Sequence, residues 1–389
     1  MAFRRVFFWL HLCAGVTAGL VIVLMSATGV LLAFERQIVA FAERDLRATA
    51  ADAARAPLPL SRLVAAAASA APDAKASSVV MRSDRFAPVV VAFGRERTLF
   101  VNPYTGAVLG DGARRVRGFF DANRSLHRWL MLKGEARERG QAITGAANLV
   151  FLFIVLSGLV IWFPRRRTRT GFRNAMFFRR GLQGRARDFN WHHVFGIWAF
   201  LPLVAIVFSA VVISYPWASR LVYRAFGSTP PKQQQPASER PGGKLDLALL
   251  DRLSSAARSE AARVAPRWQS LSVRLPLSRK GPATFALDEG NGARPDKRSQ
   301  LLIDPATARL VEHKTYAAQE AGQQARAWLR WIHTGEAGGI LGQFVAMLAS
   351  AAAVFLAYTG LALALRRLAR ALRGAPAPSE QLVEEESNA

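Results

Sequence analysis

The chain has 389 residues, of which 51% are hydrophobic and 20% charged, with a formal net charge of +25. Its apolar runs exceed what a soluble nucleic-acid-binding protein carries, so the basic excess reads as membrane topology and lipid headgroup contact, not as a nucleic-acid footprint. A single cysteine, Cys13, excludes a disulfide framework, a thiolate metal site and the Cys-x-x-Cys-His attachment of c-type haem.

A membrane-spanning helix needs about 20 consecutive apolar residues. Residues 1–34 hold the first such segment, with its apolar core from residue 6. Arg4 and Arg5 precede it as in a signal peptide. The core is too long for one, however, and ends in FERQ instead of a small-residue cleavage site, so a retained anchor is expected. Residues 35–125 open with a helical stretch, PLSRLVAAAASAA, and continue into the alternating runs APVVVAF and RTLFVNPYTGAVLG, which predict strands. The second span, core 143–163 within 126–164, is expected to be helical back toward His127. Residues 165–190 carry nine arginines and one acid, Asp188, which marks the loop as cytoplasmic. The third span occupies 191–217. Residues 218–326 repeat the earlier pattern, with LDLALLDRLSSAARSEAA followed by QSLSVRL, ATFAL and QLLIDPATARLVE. The fourth span, core 340–365, lies within 327–367, and 368–389 form a tail. An even number of spans then puts both termini in the cytoplasm and the two long segments outside.

The two halves look alike. VNPYTGAVL matches IDPATARLV, each with an Asx-Pro turn between strands. Spans one and three share His-x-x-x-Gly, as His11 to Gly15 and His192 to Gly196. Spans two and four are led by SLHRWL and RWIHTG. Ser157-Gly158, Thr359-Gly360 and Thr28-Gly29 recur later in their spans, while span three has Ser209-Ala210. The expected architecture is a pseudo-duplicated four-helix transmembrane bundle with two small external α+β domains.

Five of the six histidines, His11, His127, His192, His193 and His333, sit at span ends, where ionisable groups are costly and mark function by default. The topology sorts them into an inner pair, His11 with His192, and an outer pair, His127 with His333. Facing helices with one histidine each can ligate one haem iron from both axial directions. Gly15 and Gly196, one turn from a histidine on the same face, leave room for a flat macrocycle. His193 is the alternative inner ligand or a propionate partner; His313 reads as a surface residue and Cys13 as packing. Single histidines at span ends also serve as interfacial hydrogen-bonding residues, and it is the matching motifs that favour ligation. The arginine loop could dock an acidic electron donor or anionic lipid. Asp121, Glu135, Glu138 and Glu336 near the outer histidines could meet ferric ion. No Rossmann, P-loop, zinc-protease or di-iron pattern is present.

The pieces WLHLCAG, LFVNPYTGAVLG, LHRWL, GQAITG, LSGLVIWFPRR, WHHVFGIW, IHTGEAGGILGQ and YTGLALALRR together resemble the bacterial PepSY-associated transmembrane proteins, most closely their iron-uptake members and ferric-siderophore reductases. The resemblance implies a bacterial inner-membrane oxidoreductase with periplasmic PepSY-like domains and two b-type haems held by His11, His127, His192 and His333. Its expected substrate is a ferric siderophore, and its electron donor is a separate quinol or cytosolic flavoprotein. The same family includes non-catalytic members that bind or regulate a periplasmic partner such as a peptidase.

Overall fold

The computed structural model describes residues 2–94, 97–164, 168–230 and 245–373. Its helices are α1 (Ala2–Leu32), α2 (Glu35–Ala42), α3 (Leu60–Ser69), α4 (Arg114–Trp129), α5 (Ala136–Trp162), α6 (Arg169–Met176), α7 (Gly184–Ser214), α8 (Pro216–Ala225), α9 (Leu247–Val264), α10 (Ala321–His333) and α11 (Gly339–Leu372). Its strands are β1 (Ser78–Arg82), β2 (Val89–Phe93), β3 (Arg97–Val101), β4 (Val108–Gly110), β5 (Ser270–Arg274), β6 (Ala283–Asp288), β7 (Arg298–Ile303) and β8 (Leu310–Lys314). Arg165, Arg166 and Arg167 of the arginine loop, and the tail from residue 374, lie outside the described residues. The chain divides into a helical unit (Met1–Leu31, Ser125–Val211, Phe344–Ala389) and a sheet unit (Leu32–Arg124, Val212–Gln343).

In the helical unit, α1, α5, α7 and α11 are long and apolar enough to cross a membrane. Between α5, α7 and α11, Val155, Ala199, Leu203, Ala349, Ala352 and Ala353 form a buried cluster whose four alanines let the helices approach, and Phe195 stacks on Phe355 with ring centres 5.3 Å apart. Close packing of this kind holds helices together in lipid, where apolar burial itself drives little. Cys13 is exposed. It faces out from α1 and does not pack in the interior, which corrects the expectation for it.

Three span boundaries differ from expectation, and two of them concern histidines. His127 does not lie on a backward extension of the second span. It lies on α4, which ends at Trp129 because Leu130 and Met131 adopt φ of 54° and 60° and turn the chain before α5 begins. Two consecutive non-glycine residues in the left-handed region cost roughly 1–2 kcal/mol each, so packing must hold them there. Gly140 supplies part of that packing: a Cβ at this position would lie 2.2 Å from the Trp129 carbonyl oxygen, so only glycine lets α5 approach. The Thr144 hydroxyl donates to the Arg128 carbonyl at 3.0 Å and adds to the contact. Likewise His333 closes α10, and α11 starts separately at Gly339 after Gly335 and Gly339 reverse the chain with positive φ. A Cβ at Gly342 would meet the Gly335 carbonyl at 2.3 Å. The third span also ends early, at Ser214, because Pro216 starts α8.

The sheet unit departs from the expected pair of separate domains. All eight strands form one antiparallel sheet in the order β4-β3-β2-β1-β5-β6-β7-β8. Each segment contributes a helix and a four-stranded meander, and β1 joins β5 at the centre with Val80 opposite Ser272. β1 is the strand that the alternating runs did not reveal. β1, β2, β5 and β6 alternate in burial, and Val79, Met81, Val91, Leu271, Val273, Phe285, Leu287, Leu301 and Ile303 meet Leu63, Val64, Leu250 and Leu253 of α3 and α9 in one core. The Asp251 carboxylate accepts the Ser61 amide at 2.7 Å, capping the start of α3 from α9. The two Asx-Pro turns are alike: the Asn102 side chain accepts the Tyr104 amide at 3.0 Å and Asp304 accepts the Ala306 amide at 2.7 Å. That amide is the main cause holding the Asp304 carboxyl below its usual pKa. Gly106 and Ala308 occupy the same left-handed position in the two turns. The other face of the sheet lines a broad cleft of about 2300 Å³ that includes Arg82, Arg97, Ser270, Ser272 and Arg298.

Phe285 is the largest fully buried side chain of the core. Phe285→Ala is expected to destabilise the sheet unit by about 3–5 kcal/mol, read as a lowered midpoint of thermal unfolding. Gly140→Ala is expected to lower that midpoint too, by forcing α5 away from the Trp129 carbonyl.

Candidate functional site

His11 on α1 and His192 on α7 face each other across the interior of the helical unit, with ring centres 6.4 Å apart and ring planes at 81°. Between and around them is a cavity of about 560 Å³, within the range typical of cofactor and ligand sites. Its walls are mostly apolar: Phe151, Val155, Phe200, Leu203 and Leu356 lie along it, and Gly15, Gly19, Gly158, Gly196 and Gly360 open its sides. A Cβ at Gly15 would meet nothing within 4 Å, and one at Gly196 only Leu356 at 3.8 Å. Both glycines line the cavity, and Gly15 borders open space.

Each ring is fixed from another helix. The His11 Nδ1 lies 2.9 Å from the Ser157 hydroxyl of α5, and the His192 Nδ1 lies 2.9 Å from the Thr359 hydroxyl of α11. The direction of these bonds follows from what the hydroxyls do. Ser157 donates its own proton to the Ile154 carbonyl at 3.2 Å, and Thr359 donates to the Phe355 carbonyl at 2.8 Å. Each hydroxyl is left as an acceptor, so each imidazole donates from Nδ1–H and keeps a lone pair on Nε2. A third copy of the device sits on α1. Thr28 donates to the Leu24 carbonyl at 2.7 Å and lies 2.8 Å from the His127 Nδ1.

The glycine that follows each hydroxyl completes the seat. A Cβ at Gly158 would lie 3.4 Å from His11 Cε1, one at Gly360 3.4 Å from His192 Cε1, and one at Gly29 3.7 Å from His127 Cε1. The sequence marks these Ser/Thr-Gly pairs as repeated. It does not reveal that each seats a histidine of another helix, because that pairing exists only once the helices pack.

The geometry suits a metal held between two imidazoles. With metal–nitrogen bonds of about 2 Å on each side, two rings on one metal have their centres roughly 6 Å apart. A ligating histidine typically donates its other ring N–H to a fixed acceptor, which sets tautomer and orientation. Both features are present at His11 and His192. His193 differs: its Nδ1 lies 3.0 Å from the Phe189 carbonyl of its own helix and its ring packs on Phe189 with centres 4.2 Å apart. It borders the cavity but lacks a Ser/Thr-Gly seat. His313 pairs with the Ser299 hydroxyl at 2.9 Å on the edge of the sheet. His127 belongs to the helical unit and His333 to the sheet unit. Among the described residues, no three or more His, Cys, Asp or Glu side chains gather as a metal site, so Asp121, Glu135, Glu138 and Glu336 do not form one.

Four apolar helices and one antiparallel sheet make this a multi-pass membrane protein with a sizeable non-membrane portion. Residues 8–367 match the family described as the PepSY-associated TM region, and the chain belongs to that family. No curated protein shows significant similarity to it.

Thr359→Val keeps the shape but removes the hydroxyl partner of the half-buried His192 ring, and is expected to cost about 0.5–1.5 kcal/mol. Thermal unfolding compared with Thr359→Ser, which restores the hydroxyl, checks this.

Proposed function

We propose that the chain is a di-haem b membrane oxidoreductase that passes electrons across the bacterial inner membrane to a ferric siderophore on the periplasmic side. The observation that carries this reading is the opposed His11–His192 pair, with each Nδ1 engaged and each Nε2 left to a metal. In this reading His11 and His192 would hold the iron of one haem, Ser157 and Thr359 would fix their ring planes, and Gly15 and Gly196 would leave room for the macrocycle. When bound, haem would supply one-electron transfer there. The apolar walls exclude water and thereby influence the potential. The second haem, on His127 and His333, is proposed from the sequence pairing alone, with the Thr28 seat on His127 as its support.

The positive-inside rule gives the orientation: the arginine loop and both termini in the cytoplasm, the long segments in the periplasm. The donor in this proposal is a quinol or a cytosolic flavoprotein. The matching series of helix and four strands in each half supports an internal duplication. The competing reading is a non-catalytic membrane protein whose PepSY-like portion binds or restrains a periplasmic partner such as a peptidase; the broad cleft on the sheet supports it.

A reduced-minus-oxidised absorption spectrum of protein expressed with ample haem separates the two. The expected result is low-spin b-type haem near two per chain, with His11→Ala or His192→Ala each losing about one haem and His193→Ala losing none. Haem-free protein would favour the partner-binding reading instead.

A further inference from the structure

The cavity between His11 and His192 is apolar except at one end. Arg185, in the first turn of α7, and Arg367 and Arg370, near the end of α11, line it there. Among the described residues, none of the three has a carboxylate partner. The acid on this stretch, Asp188, is fully buried and already engaged by Arg366 at 2.7 Å and Arg187 at 3.0 Å. Arg367 is held over the rings of Phe8 and Trp9, 5.2 and 4.7 Å from their centres, a placement that orders the side chain without neutralising it. The start of α7 adds the partial positive charge and free amides of a helix N-terminus.

Three guanidiniums with no carboxylate partner among the described residues, at one end of an apolar cavity, select a ligand with an apolar body and anionic groups on one edge. We infer that Arg185, Arg367 and Arg370 bind the two propionate carboxylates of the haem proposed for His11 and His192. They would thus fix which way round the macrocycle lies, with its carboxylate edge toward the start of α7 and the end of α11. The inference rests on the haem reading above and adds to it a second, charge-selective half of the site. Arginine suits the task because its planar fork meets a carboxylate with two parallel bonds. Arg366, committed to Asp188, has no such role.

The test uses the full-length protein, stripped of haem and placed in phosphatidylcholine nanodiscs so that no anionic headgroup competes. Haem and its dimethyl ester, identical except that both carboxylates are masked, are titrated in and followed by the Soret band. The wild-type protein is expected to bind haem about tenfold or more tightly than the ester, and the Arg185→Gln/Arg367→Gln/Arg370→Gln variant is expected to abolish that preference. Loss of the cations is also expected to lower the potential of the haem that remains, since positive charge favours the reduced iron. Equal wild-type affinity for haem and ester would overturn the inference and leave the haem reading standing. So would a preference that survives in the triple variant. Wild-type protein that takes up neither compound would overturn both. Because the wild-type comparison needs no substitution, misfolding of the variant does not blunt it.

Discussion

A hydrogen bond from a half-buried imidazole to a hydroxyl whose own proton is already committed is the constraint on which the helical unit turns. A serine or threonine inside a helix gives its proton to the carbonyl three or four residues back. That habit converts the hydroxyl into a fixed acceptor on the helix surface. Ser157, Thr359 and Thr28 all do this, and each receives a histidine from a different helix. The following glycine lies against the ring, where a Cβ would meet Cε1 at 3.4 to 3.7 Å, an ordinary contact distance. In an apolar interior the bond settles tautomer, ring plane and helix register together, because an unmet imidazole N–H there costs far more than it would in water. The Nε2 left outside this bond is a consequence of the arrangement, so the same bond that positions the helices also sets which ring nitrogen keeps its lone pair.

Much of this was legible in the chain, for physical reasons. Long apolar runs ending in arginine announce membrane helices because lipid leaves few alternatives. His11 and His192 stood out because ionisable groups at those depths are rare, and the shared glycine spacing favoured His192 over His193; the structure gives a Ser/Thr-Gly seat to the first and a bond to its own helix to the second. What was not legible depends on contacts distant in sequence. The partner hydroxyls lie 146 and 167 residues from their histidines. The break after Trp129 rests on two left-handed residues, Leu130 and Met131, neither of a type that signals a turn. Apolar periodicity runs through such a break without registering it.

The sheet shows the same limit from another direction. Local alternation predicted strands in both segments, and the Asx-Pro turns fixed how β3 meets β4 and β7 meets β8. Nothing local states that β1 pairs with β5. Ser78–Arg82 is short and half polar in pattern, yet it is the strand that merges two meanders into one sheet over one core. A pair of small domains would each bury one helix on four strands; joining them removes two exposed strand edges, a saving in unpaired backbone groups that favours the continuous sheet.

The central proposal is that His11 and His192 would hold one haem iron between rings whose planes stand 81° apart. Low-temperature electron paramagnetic resonance of the oxidised protein reads that angle directly, since crossed axial imidazoles give a highly anisotropic low-spin ferric signal with an unusually large maximal g value. The account predicts such a signal in the wild-type protein and its loss in His192→Ala. A ferric haem whose signal is only high-spin, or a low-spin signal that survives His192→Ala unchanged, would contradict it.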